Sequence, residues 1–138
     1  MDPTLFSLIS RAGKASLDEL RARSRVDQSV LARELVTMWQ EGVVALSCEP
    51  GVSDQDKLSI QKKFGNLDLD TSTISLLYCI PDREDRIKVL TGDEAKEAMR
   101  KARAREIMSK AMTLAFNDDR AAECVMVSPT TRGFKMIL

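Results

Sequence analysis

"SLDELRARSRVDQSVLARELVTMWQEGVVAL", residues 16–46, decides the fold. Ser16 with Glu19 three positions on is a capping box, in which a side-chain oxygen satisfies a free amide at a helix start. Leu17 and Leu20 give that helix its buried side. Asp27 caps a second helix over residues 27–41, whose Leu31, Leu35 and Met38 fall on one face at the 3.6-residue period. Gly42 stops it, and "VVALSC" at 43–48 continues as an extended segment rich in β-branched residues.

Upstream, Asp2 before Pro3 marks another helix start. Leu5, Leu8, Ile9 and Ala12 share one face of that helix, and Gly13 ends it. With these elements in place, Leu20, Val26, Asp27, Leu31, Leu35, Met38, Gly42, Val43 and Val44 have a spacing that resembles a winged helix-turn-helix domain over roughly residues 4–50. The resemblance implies a second helix that reads DNA, a basic β-hairpin wing after the strand, and a dimeric transcriptional regulator. The chain departs from the pattern at Arg21, usually a small alanine, at Ser24, usually apolar, and at Arg25, where glycine eases the turn. Arg21 must either push the helices apart or reach outward, and a non-glycine held left-handed at Arg25 costs roughly 1 kcal/mol. Where the basic wing belongs, "EPGVSDQD" at 49–56 is acidic.

The remainder predicts a short helix in "SDQDKLSIQKKFG" (53–65), capped by Ser53 and stopped by Gly65. "STISLLYCI" (72–80) and "RIKVL" (86–90) read as strands joined by a polar turn. Thr91 with Glu94 opens a long helix over residues 92–116. "ECVMVSPTTRGFKMIL" (123–138) reads as a hairpin turning at 129–133, with Gly133 supplying positive φ. The expected fold class is therefore α+β: a winged-helix-like module over residues 1–65 and, packed on it, a unit of one long helix and β-hairpins over 66–138.

Composition narrows the chemistry. Apolar residues form 43% and charged residues 30% of the 138, a balance that suits a folded globular chain. The longest apolar run, 74–80, is interrupted by a serine and is far shorter than the ~20 residues a bilayer needs. "MDPTLFSL" lacks the features of a secretory signal, so a cytoplasmic, non-membrane protein is expected. Cys48, Cys79 and Cys124 are widely spaced in apolar contexts, which suggests buried thiols rather than a disulfide framework or zinc site. Histidine is absent, which removes Ser-His-Asp and Cys-His catalysis and the usual histidine metal sites. No enzyme, cofactor or metal is expected. Asp68 and Asp70 in "LDLDTST" are a bare carboxylate pair with no third ligand, and Thr130, Thr131 and Arg132 sit at the expected hairpin tip, where they could hold an anion.

If the second helix of the turn motif enters a major groove, its open face offers Gln28, Ser29, Ala32, Arg33, Val36 and Thr37. Arginine and glutamine can each bond two atoms on a base edge. Arg11, Lys14, Arg21, Arg23 and Arg25 would meet phosphates. The DNA-binding set is Gln28, Ser29, Arg33, Thr37, Arg23, Arg25 and Lys14. Against it, residues 1–50 carry six basic and seven acidic groups, a net of −1, and the whole chain balances 21 against 21. The expected partner is thus double-stranded DNA or, alternatively, a protein bound by an adaptor on a winged-helix scaffold. Residues 96–110 carry six basic and two acidic side chains, and i,i+4 pairs such as Glu106 with Lys110 suit a solvated face. In the long helix, Ala95, Ala98, Met99 and Ala102 lie opposite Ala104, Ile107, Met108, Ala111 and Ala115 at 100° per residue. One neighbour cannot cover both faces, so the helix breaks near 103–105, or its two halves pack on different partners, one of them a second subunit covering Ile107, Met108, Ala111 and Met112 in a homodimer, or it is a core helix of the α+β fold with extra alanines.

Overall fold

A computed structural model of the chain describes residues 3–49, 51–63, 69–80 and 100–137. The first helix, α1 (Pro3–Ala12), ends where Gly13 takes φ +74°. A two-residue strand, β1 (Ala15–Ser16), leads directly into α2 (Leu17–Ser24), and the Ser16 hydroxyl accepts the Glu19 amide at 3.1 Å as the capping box requires. Arg25 makes the turn in a left-handed conformation, φ 58° and ψ 15°. Asp27 then caps α3 (Gln28–Gln40) by accepting the Ser29 amide. Gly42, at φ +77°, closes that helix, with the Val43 amide returning to the Met38 carbonyl at 2.9 Å. Val44, Leu46 and Cys48 then alternate inward along β2 (Val44–Cys48).

The sheet is completed from the far end of the chain. β3 (Val125–Pro129) lies between the other two strands, antiparallel to both, in the order β1-β3-β2. Ser16 pairs with Met126, and Leu46 pairs with Val127. Residues expected as two units thus contribute to one sheet and to one buried core, in which Ile9, Leu17, Leu31, Leu35, Met38 and Val127 are fully inaccessible.

Four expectations are corrected. Residues 72–80 form no strand: α5 (Thr71–Cys79) is a helix, because the Asp70 carboxylate accepts both the amide and the hydroxyl of Thr73 at 2.8 and 2.7 Å. The Ser72 hydroxyl accepts the Leu46 amide at 2.8 Å, so this helix lies against β2 and satisfies a donor that β3 leaves free. The hairpin expected after residue 129 is absent too. Thr130 starts α8 (Thr131–Ile137) by donating its hydroxyl to the Gly42 carbonyl at 2.6 Å and accepting the Gly133 amide at 3.1 Å. Gly133 sits inside that helix for space rather than for positive φ, since a Cβ there would lie 2.5 Å from the Val43 carbonyl oxygen and 2.6 Å from the Phe6 ring. Cys48 and Cys79 form a disulfide, with Cα atoms 6.6 Å apart, and Cys124 is free.

The fourth correction concerns the long helix. Residues 92–99, with the Thr91 and Glu94 capping box, the strand expected at 86–90 and Asp68, lie outside the described residues. From Arg100 the helix, α6 (Arg100–Phe116), runs unbroken. Ile107, Met108, Ala111 and Met112, expected at a subunit interface, are all 0% exposed within the single chain. The reason is that α6 packs on α3, α5 and the short α7 (Asp119–Cys124) together, so its apolar residues are covered from several directions. Ser53 caps α4 (Asp54–Lys63) as expected, accepting the Asp56 amide at 3.2 Å. Among the described residues no helix is long and apolar enough to cross a membrane.

Candidate functional site

The helical period orients α3 as its sequence requires. Leu31, Leu35 and Met38 are 0% exposed, and Ser29 and Arg33 are open to solvent. Thr37 is half-buried and donates its hydroxyl back to the Arg33 carbonyl at 3.0 Å. Ala32 and Val36, expected on the open face, are buried at 7% and 3% because α6 lies along that flank of α3. Gln28, the first residue of the expected reading face, donates from Nε2 to Oδ1 of Asn117, just past the end of α6, at 2.7 Å.

Between the two helices lies an open cleft of about 370 Å³, floored by Ala32 and Val36. Gln28, Ser29 and Arg33 line it from α3, and Ser109, Thr113 and Asn117 from the α6 side. These last three went unnoticed in the sequence, although they recur every four residues and so share one helical face. At the mouth, Asp27 accepts the Ser29 hydroxyl and amide. Those bonds favour the ionised form, the hydroxyl most and the amide next, and hold the carboxyl below its ordinary 3.8.

The basic residues expected on phosphates, together with the base-reading Arg33, divide into two groups. Lys14 is paired with Glu49. Arg21 resolves its crowded position by reaching outward: one guanidinium nitrogen bonds the Phe116 carbonyl at 3.0 Å and the other the Asp18 carboxylate at 2.6 Å. A cation at that carbonyl also suits the negative end of the α6 dipole. Arg11, Arg23, Arg25 and Arg33 are exposed and make no ion pair among the described residues. Beside the turn, Val26 and Val30 are 39% and 36% exposed around a small notch bordered by Leu5, Leu8 and Leu31.

Two other candidates are occupied by structure. Asp70 caps α5 and accepts the Trp39 indole N–H at 2.5 Å. Thr130 is spent on Gly42 and Gly133. Comparison of the chain with protein-family models, with curated proteins and with solved structures returned no match.

Proposed function

We propose that the chain is a winged helix-turn-helix scaffold that works as a non-enzymatic protein-interaction module. The succession α1, β1, α2, α3, β2 and β3, with the sheet order β1-β3-β2, supports the scaffold. In that reading residues 49–124 stand where a short wing would join the last two strands.

One observation carries the functional half: α6 lies against α3 and buries Ala32 and Val36. A helix with its side chains is about 10–12 Å across and a major groove about 12 Å wide, so the groove admits one helix and not a flanking second. A net charge of −1 over residues 1–50 and the pairing of Lys14 with Glu49 point the same way, because duplex affinity rests on phosphate neutralisation. The exposed Val26 and Val30 beside Arg23 and Arg25 offer a protein partner an apolar anchor with a charged rim.

The test is fluorescence polarisation with random-sequence duplex at low and physiological salt. We expect no saturable binding, and a photo-reactive side chain at position 30 should give protein adducts only. Tight binding that falls steeply with salt overturns the adaptor reading. It would favour a DNA-binding transcriptional regulator, a second reading supported by Arg23, Arg25 and Arg33, which are exposed and make no ion pair among the described residues. There, Arg33→Ala should weaken specific binding by roughly 1–3 kcal/mol, whereas Arg23→Glu should weaken all duplexes alike.

A further inference from the structure

The α3–α6 cleft has a size and a distribution of hydrogen-bonding groups that suit a small molecule, and the protein-interaction reading uses none of them. Its volume of about 370 Å³ falls at the lower end of the roughly 300–1,000 Å³ typical of small-molecule sites. Its floor, Ala32 and Val36, is apolar, and its polar groups are only partly spent. Gln28 commits Nε2 to Asn117 Oδ1, which leaves Gln28 Oε1 to accept and Asn117 Nδ2 to donate. Thr113 gives its proton to the Ser109 carbonyl. Asp27, held ionised by Ser29, stands at one end. Among the described residues Arg33 is the single cation that lines the cleft, and it is exposed and without an ion pair to any of them. Six positions along α3 separate Asp27 from Arg33, about 9 Å at 1.5 Å per residue.

A cation at one end, acceptors at the other and an apolar floor between them specify complementary chemistry. We propose that the cleft binds a small carboxylate carrying a hydrogen-bond donor at its far end. The carboxylate meets the Arg33 guanidinium, whose planar fork matches it in a bidentate pair. The carbon frame lies on Ala32 and Val36, and the distal donor reaches Gln28 Oε1 or the Asp27 carboxylate. A phosphate monoester fits less well: its second charge finds no second cation among the described lining residues, and the far end is already negative. Because the lining comes from both helices, the ligand bridges α6 to α3. The proposal is independent of the protein-interaction reading, which uses Val26, Val30, Arg23 and Arg25, whereas in the DNA reading the ligand and a base edge would compete for Arg33.

The test is an amide-shift titration of the whole ¹⁵N-labelled chain with 4-hydroxyphenylacetate and 4-hydroxybutyrate, and with the neutral 4-hydroxyphenylacetamide as control. We expect saturable shifts centred on Arg33, Val36 and Thr113, with the amide weaker than its acid by roughly tenfold or more, as loss of a charge-assisted pair demands. Arg33→Gln should reproduce that loss with an unchanged circular dichroism spectrum, because Arg33 is exposed. Thr113→Trp, also at an exposed position, should abolish binding by filling the cleft. The proposal is overturned by the absence of saturable shifts with both acids up to about 10 mM, a range in which even weak ligands register. Equal affinity for acid and amide, shifts mapping outside the cleft, or wild-type binding by Arg33→Gln would each overturn it as well.

Discussion

Arg25 sits where backbone geometry, not side-chain chemistry, sets the cost. Its φ of 58° and ψ of 15° are left-handed, and its Cβ crowds the following carbonyl. Glycine removes the clash but adds freedom to the unfolded chain, so Arg25→Gly should raise stability by a net of only ~0.5 kcal/mol in urea unfolding. Unchanged or lower stability would show that Arg25 makes compensating interactions. Asp27, two residues on, supplies a pH-dependent contribution. Its folded carboxyl is depressed below the ordinary 3.8, first by the Ser29 hydroxyl and then by the Ser29 amide. Its stabilisation is therefore fully present above the unfolded pKa and is lost as pH falls through the lower folded one. The Ser29 amide resonance should move on acidification with a midpoint below the ordinary 3.8, and Asp27→Asn should remove that step.

Elements pack here through close approach as much as through apolar burial. α8 reaches the start of β2 because Gly133 presents no side chain to the Val43 carbonyl oxygen, 2.5 Å from where a Cβ would stand. The obstacle is backbone, which cannot swing aside. Gly133→Ala should therefore cost about 1–3 kcal/mol despite alanine's better helix propensity, measured by urea unfolding. A gain in stability would mean that α8 can shift without loss. Phe134 stacks edge-on to Phe6 from the same helix, with ring centroids 5.5 Å apart, so displacement of α8 disturbs α1 as well.

At the scale of the molecule, one covalent bond ties α5 to the strand that it covers. Cys48 and Cys79 are 31 residues apart, and closing a loop of that length stabilises by roughly 3–4 kcal/mol through the entropy of the unfolded chain. Reduction with dithiothreitol, or Cys79→Ser, should lower unfolding stability by about 2–4 kcal/mol and leave the Leu31, Leu35 and Met38 core intact. Equal stability with and without reductant would show that the bond does not form in solution. In a reducing compartment the chain would lack that contribution.

Local chemistry was enough to determine some of this protein from its sequence. Ser16, Asp27 and Ser53 mark their helix starts because a cap needs only its own side chain and an amide two or three residues away. The inward register of Leu31, Leu35 and Met38 follows from helical periodicity alone. The tertiary structure decided whatever depended on a distant neighbour. Residues 72–77 are buried all round, a condition in which strand and helix have the same apolar run, and contact with β2 together with the Asp70 cap selects the helix. Val125–Pro129 finds its place only between two strands more than seventy-five residues upstream. The Cys48–Cys79 bond, the cover over Met108 and Ala111, and the cleft joining Arg33 to Thr113 likewise require segments far apart in sequence to meet. Spacing along a chain reports the period of one element, but the surface that element faces is set by which other elements bury it.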